Sequence, residues 1–159
     1  MRMIDLMSDI QAIHNTAKRY HWQCQGHDFY EAHLFFDRIA ETFNEDSIDT
    51  LAEAWYMNDG REYLIDLNDF DQLVSEKVGK KFSKEELNSK DIELEMFKIL
   101  ASMIFAFRSK LTTEEFGQGV GNKLDELAQS ASQILGLIRA RIADNLANVV
   151  TSRLKRNFK

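Results

Sequence analysis

Four histidines, His14, His21, His27 and His33, are all the chain has, and they fall within one stretch of twenty residues. Two pairs of hard-oxygen partners follow them in helical register. His33 and Asp37 are four apart, as are Asp49 and Glu53, and a spacing of four puts two side chains one above the other on a helix face. Imidazole nitrogen combined with carboxylate oxygen suits iron, with manganese or zinc as competitors. His21, His33, Asp37, Asp49 and Glu53 are therefore the candidate metal ligands. Two plainer roles fit the same residues. Asp49 and Glu53 read equally as a solvated helix face, and His33 and Asp37 as a capped or salt-bridged pair. Other chemistries lack their residues. One cysteine, Cys24, makes no intrachain disulfide and no zinc site, and it reads as a small buried hydrophobe in a reducing compartment. No Gly-rich run ends in Gly-Lys-Ser/Thr, which excludes a P-loop.

The elements that must hold these residues are helices. The chain has 159 residues, no proline and only 7 glycines, so it lacks the turn chemistry of a many-stranded sheet. Met3, Met7, Ile10, His14, Ala17, His21 and Cys24 recur at alternating steps of four and three, the period of an amphipathic helix A over about 3–24. Asp28, with Glu31 three residues on, reads as a capping box opening helix B over about 29–57. A short helix through Leu67, Phe70, Leu73, Val74 and Val78, closed by Gly79, interrupts a long connection, and 80–90 reads as polar and exposed. Helix C is expected over about 91–111. Gly117, Gly119 and Gly121 read as a flexible joint, and helix D follows over about 122–151. Two long helices, a crossover holding a short helix, and two more long helices make a single domain, an all-α, ferritin-like four-helix bundle. Helices C and D carry no histidine and no Glu-x-x-His occurs in the chain, which disfavours a di-iron site inside one bundle, with that motif on each of two helices.

Charge bears on partners. The net charge is −6, but Arg153, Lys155, Arg156 and Lys159 stand in 151–159 without an acid, so the rest of the chain carries −10. An acidic body disfavours a non-specific DNA coat. The basic tail remains a candidate nucleic-acid contact, and it equally complements the dipole of a helix C-terminus. No apolar run of about 18 residues exists to cross a membrane, and no leader is read at the start, so the expected location is the cytoplasm. Phe35, Phe36, Trp55 and Tyr56 are spread around helix B, a distribution that predicts association with further copies.

The run His21-Trp22-x3-Gly26-x2-Phe29-x3-His33-x3-Asp37, followed by Asp49-x3-Glu53, resembles the ferroxidase signature of the Dps-type miniferritins, the DNA-binding proteins from starved cells. Leu124-Asp125-Glu126-Leu127-Ala128-Gln129 adds a fainter likeness. The resemblance implies a hollow shell, a dodecamer built from two-fold dimers. It implies an iron site between two subunits, where ferrous iron is oxidised, preferably by hydrogen peroxide, and then stored as mineral. Carried over, His21, Asp49 and Glu53 are the direct ligands. His33 and Asp37 hold a second iron, and Trp22 lies beside the metal. One spacing departs from the family: Asp37 to Asp49 is twelve residues where the family has eleven, and Ile48 occupies the expected slot. At 100° per residue, eleven steps return to within about 20° of the start, whereas twelve land about 120° away. A π-bulge between Glu41 and Ser47 is the expected means of absorbing the extra residue. Without such a device the rival reading is a non-enzymatic ferritin-fold protein that binds another macromolecule.

Overall fold

In the computed structural model the chain is described over residues 3–26, 29–57, 65–111 and 118–157. Every regular element among these residues is helical: α1 (Met3–Gln23), α2 (Phe29–Thr42), α3 (Glu45–Trp55), α4 (Leu67–Lys77), a 3₁₀ turn (Glu86–Asn88), α5 (Ile92–Lys110) and α6 (Gln118–Asn157). No described helix is long and apolar enough to cross a membrane.

Cross-helix contacts give the directions. His21 meets His33 and His14 meets Ala40, so α1 and α2 are antiparallel. Lys110 reaches Asp9, while Glu93 and Ser132 mark two further levels through Arg141 and Arg108, so α5 opposes both α1 and α6. Phe36 stacks on Phe97 and Phe43 meets Phe107 edge-on, so α2 and α5 run parallel. The chain between them must return along the length of the molecule, and α4, packed on α1, lies on that return. Gly79 passes so close to α1 and α5 that a Cβ there would sit 2.7 Å from Thr16 Cγ2 and 2.9 Å from Ile99 Cγ2.

The core is the set of inward stripes. Leu6, Ile10, Ile13, Ala17 and Tyr20 of α1 face Phe36, Ile39 and Phe43, with Met96, Phe97, Leu100, Ile104 and Phe107 of α5 and Leu127, Ala131, Ile134 and Ile138 of α6 completing it. Cys24 is buried in the same stripe, as its place in the period predicts, and burial, with Glu93 adding, pushes its thiol up to about 11. The Tyr20 hydroxyl donates to Lys80 O at 2.9 Å, and burial raises its pKa.

Four expectations need correction. Helix B is two helices, because Phe43 and Asn44 interrupt it. The break is a capped restart rather than a π-bulge: Asn44 is extended (φ −104°, ψ 173°) and its side chain accepts from the Ser47 N–H at 2.9 Å. The described π-type turn lies elsewhere, at 56–57. Helix D starts at Gln118, not 122, because fully buried Val120 and buried Leu124 anchor its first turns; part of the expected joint is helical, while Gly117 lies outside the described residues. Within 80–90, Phe82 is buried against Tyr20, at 5.6 Å between ring centroids, so that stretch is not uniformly exposed. The expected Asp28 cap, with His27, lies outside the described residues.

Candidate metal centre

The α1–α2 pair brings three of the five candidates together. His21 closes α1, His33 lies one turn into α2, and Asp37 follows a turn later on the same face. The two imidazoles stack at 3.7 Å between centroids with 17° between planes, and Phe29 covers His33 at 5.1 Å. Each ring holds the other's backbone: His21 Nδ1 is 2.7 Å from His33 O, and His33 Nδ1 is 2.8 Å from His21 O. A carbonyl oxygen can only accept, so both Nδ1 atoms are the protonated ones. A ring held in this way has its lone pair on Nε2 whenever it is neutral, the form in which imidazole binds a metal, with a backbone carbonyl fixing the tautomer. The same device recurs two turns earlier on α1, where His14 Nδ1 donates to Ala40 O at 2.7 Å.

Asp37 has a partner that the spacing arguments overlooked. Lys18, three residues before His21 on the same face of α1, donates to Asp37 Oδ1 at 2.8 Å. That ammonium holds the Asp37 carboxyl below the usual carboxylate range; burial opposes it, and His21 and Glu41 add to the lowering. The salt-bridged alternative thus holds for Asp37, with Lys18 rather than His33 as partner. One carboxylate oxygen is engaged, so a metal ion at Asp37 must share or displace Lys18.

Asp49 and Glu53 lie on α3, both exposed and one turn apart. They are not gathered with the histidines. Among the described residues of one chain, no group of three His, Cys, Asp or Glu could hold a metal ion. Four exposed hydrophobes flank the histidines in sequence: Trp22, at 72% exposure, follows His21, and Phe29, Tyr30 and Leu34 lie around His33 on α2. Of the four aromatics expected to spread around helix B, Phe35 and Phe36 instead pack on Phe97, and the exposed large hydrophobes of α2 are Phe29, Tyr30 and Leu34.

Two residues important to this region were missed, and both had a signal. Lys18 is at i−3 from His21, the spacing of one helix face. Asn44, followed by Glu45 and Asp46, is a helix-start pattern inside what reads as one continuous stripe. Comparison with known proteins adds no relative: no family model, no curated protein and no solved structure matches the chain.

Proposed function

We propose that this protein is an iron-oxidising and iron-storing protein of the Dps type, working as a ferritin-like four-helix bundle whose sites are completed between copies. The observation that carries the reading is the reciprocal His21/His33 clamp, which directs Nδ1 of each ring to a backbone carbonyl and reserves Nε2 for a metal, with Asp37 one turn from His33 on the same face of α2. The helix directions support it as well, since parallel α2 and α5 joined by a crossover are what the ferritin-like arrangement requires.

Ferrous iron is the substrate. His21 offers it nitrogen, and the partner copy's α3 offers two carboxylates through its own Asp49 and Glu53. Asp37 and His33 hold a second ion after Lys18 yields. Two ferrous ions give one electron each to one hydrogen peroxide, whose O–O bond breaks, and the ferric product hydrolyses with release of protons. The acidic body, −10 without the last nine residues, favours accumulation of cations. Nucleic-acid contact through Arg153, Lys155, Arg156 and Lys159 and assembly as a dodecamer are further parts of this reading.

The test follows oxidation of ferrous iron by limiting peroxide on metal-stripped protein, beside a His33→Ala/Asp37→Ala double variant. Oxidation well above the buffer rate, lost in the variant, is the expected result; a rate equal to buffer overturns the reading. The rival, a non-enzymatic ferritin-fold protein, has one observation in its favour. The Lys18–Asp37 ion pair already neutralises the carboxylate that a second iron needs. In that case the Lys18→Ala variant gains no oxidation rate over buffer either.

A further inference from the structure

Two patterns on helix B are out of phase by one residue, and the break at Phe43–Asn44 sits between the halves of both. The first is the core. Phe36, Ile39 and Ala40 of α2 and Phe43 just after it are fully buried, and the next buried residues are Ile48 and Leu51 of α3. From Phe43 to Ile48 is five steps, about 500°, which on an unbroken helix would turn Ile48 some 140° from Phe43; four steps would leave it about 40° away. Ile48 nonetheless faces the core, so the break takes up one residue. The second pattern is the ligand stripe, where Asp37 to Asp49 is twelve steps. Subtracting the residue that the core shows to be absorbed leaves eleven, and eleven steps return to within about 20° of the starting direction. Relative to the core, Asp49 and Glu53 thus lie on the flank of the helix that carries His33 and Asp37.

The geometry points to Asn44 as a positioning residue for the metal site. Its side chain caps α3 on Ser47 N–H at 2.9 Å, and fully buried Phe43, edge-on to Phe107 at 5.8 Å, pins the chain on the other side of the break. The restart sets the rotation of α3, and with it the direction in which Asp49 and Glu53 meet a second copy. Asn44 touches no substrate; it acts through the two carboxylates. This inference rests on the ferroxidase reading for its chemistry but on the core phase for its geometry.

Three variants and two measurements test it. Asn44→Ala removes the cap and keeps the extra residue; Asn44→Asp keeps a capping oxygen; deletion of Asn44 removes the extra residue and lets α2 run into α3 with its core steps in phase. The expected rates of peroxide-driven ferrous oxidation are about five-fold lower for Asn44→Ala, unchanged for Asn44→Asp, and within two-fold of the unaltered protein for the deletion. The loss should appear as a raised KM for iron more than a lowered kcat, since the carboxylates are displaced rather than removed. An Asn44→Ala rate equal to the unaltered one, or a deletion at least as slow as Asn44→Ala, overturns the assignment while leaving the ferroxidase reading in place. Absence of oxidation in the unaltered protein removes the ferroxidase reading instead. The geometry is then decided by spin labels on Asp37→Cys/Glu53→Cys in a Cys24→Ser background. Equal label distances in the unaltered and deleted chains, with a distance altered by several ångströms in Asn44→Ala, support the positioning role; three equal distances overturn it.

Discussion

Two polar clusters interrupt the apolar interior of this molecule, and they end in opposite ways. At the end of the molecule holding the start of α1 and the end of α5, Asp9 lies between two lysines: Lys77 Nζ contacts its Oδ1 at 2.8 Å and Lys110 Nζ its Oδ2 at 2.7 Å. Lys77 also donates to Ser8 Oγ at 2.7 Å and to Asp5 O at 3.0 Å, so all three hydrogens of its ammonium have acceptors. At the other end, His21 and His33 use Nδ1 on each other's backbone and keep Nε2. The first cluster is closed and ties α4 to α1 and α5. The second fixes two rings and still has valences to offer. Closed polar groups specify a fold; open ones, held still, are what recognition needs.

That contrast predicts effects of different kinds. The largest is at Asp9: Asp9→Ala removes the carboxylate that Lys77 and Lys110 share, leaving Lys77 the Asp5 carboxylate 4.0 Å away, and should lower stability by about 3 kcal/mol in urea unfolding, whatever metal is present. Next is the metal itself. Ferrous iron or cobalt(II) at one hundred times its dissociation constant should stabilise the unaltered protein by about 2.7 kcal/mol. His33→Ala should abolish that increment while costing only about 1 kcal/mol without metal, the scale of one lost hydrogen bond. If Asp9→Ala removed the metal increment and His33→Ala did not, the roles of the two clusters would be reversed.

The smallest effect is at Lys18. Asp37 titrates below its usual range in the folded protein, so the pair contributes above the ordinary carboxylate pKa of about 3.9 and is lost as pH falls through the depressed folded value. Lys18→Ala should raise the Asp37 pKa, read by carboxyl NMR, and change stability at neutral pH by no more than about 1 kcal/mol, because both groups are about a third exposed.

Helix positions were legible wherever one stripe recurred without interruption, as through α1 and α5. The failures came where a local signal competed with the stripe. Asn44 with Glu45 and Asp46 begins a helix, but the apolar residues on both sides suggested continuity. Val120 and Leu124 began α6 in a segment whose glycines suggested a joint. Phe82, alone among charged residues, gave no periodic signal of its burial against Tyr20. At the site, the residue types and the His33–Asp37 face could be read directly. The imidazole tautomers could not, because they depend on carbonyls brought from another helix, and neither could the claim of Lys18 on Asp37, which joins residues nineteen positions apart.

The parallel course of α2 and α5 also orders events in time. The α1–α2 and α5–α6 pairs each join neighbours in the chain, so their contacts close short loops and form early. The tie from Lys77 to Asp9 spans 68 positions, and the strap that carries it must slide Gly79 between Thr16 and Ile99. Closing so long a loop is entropically slower than pairing adjacent helices. Docking of α4 and Gly79 is therefore the expected late step of folding, the step at which the α1–α2 and α5–α6 pairs become one cooperative unit.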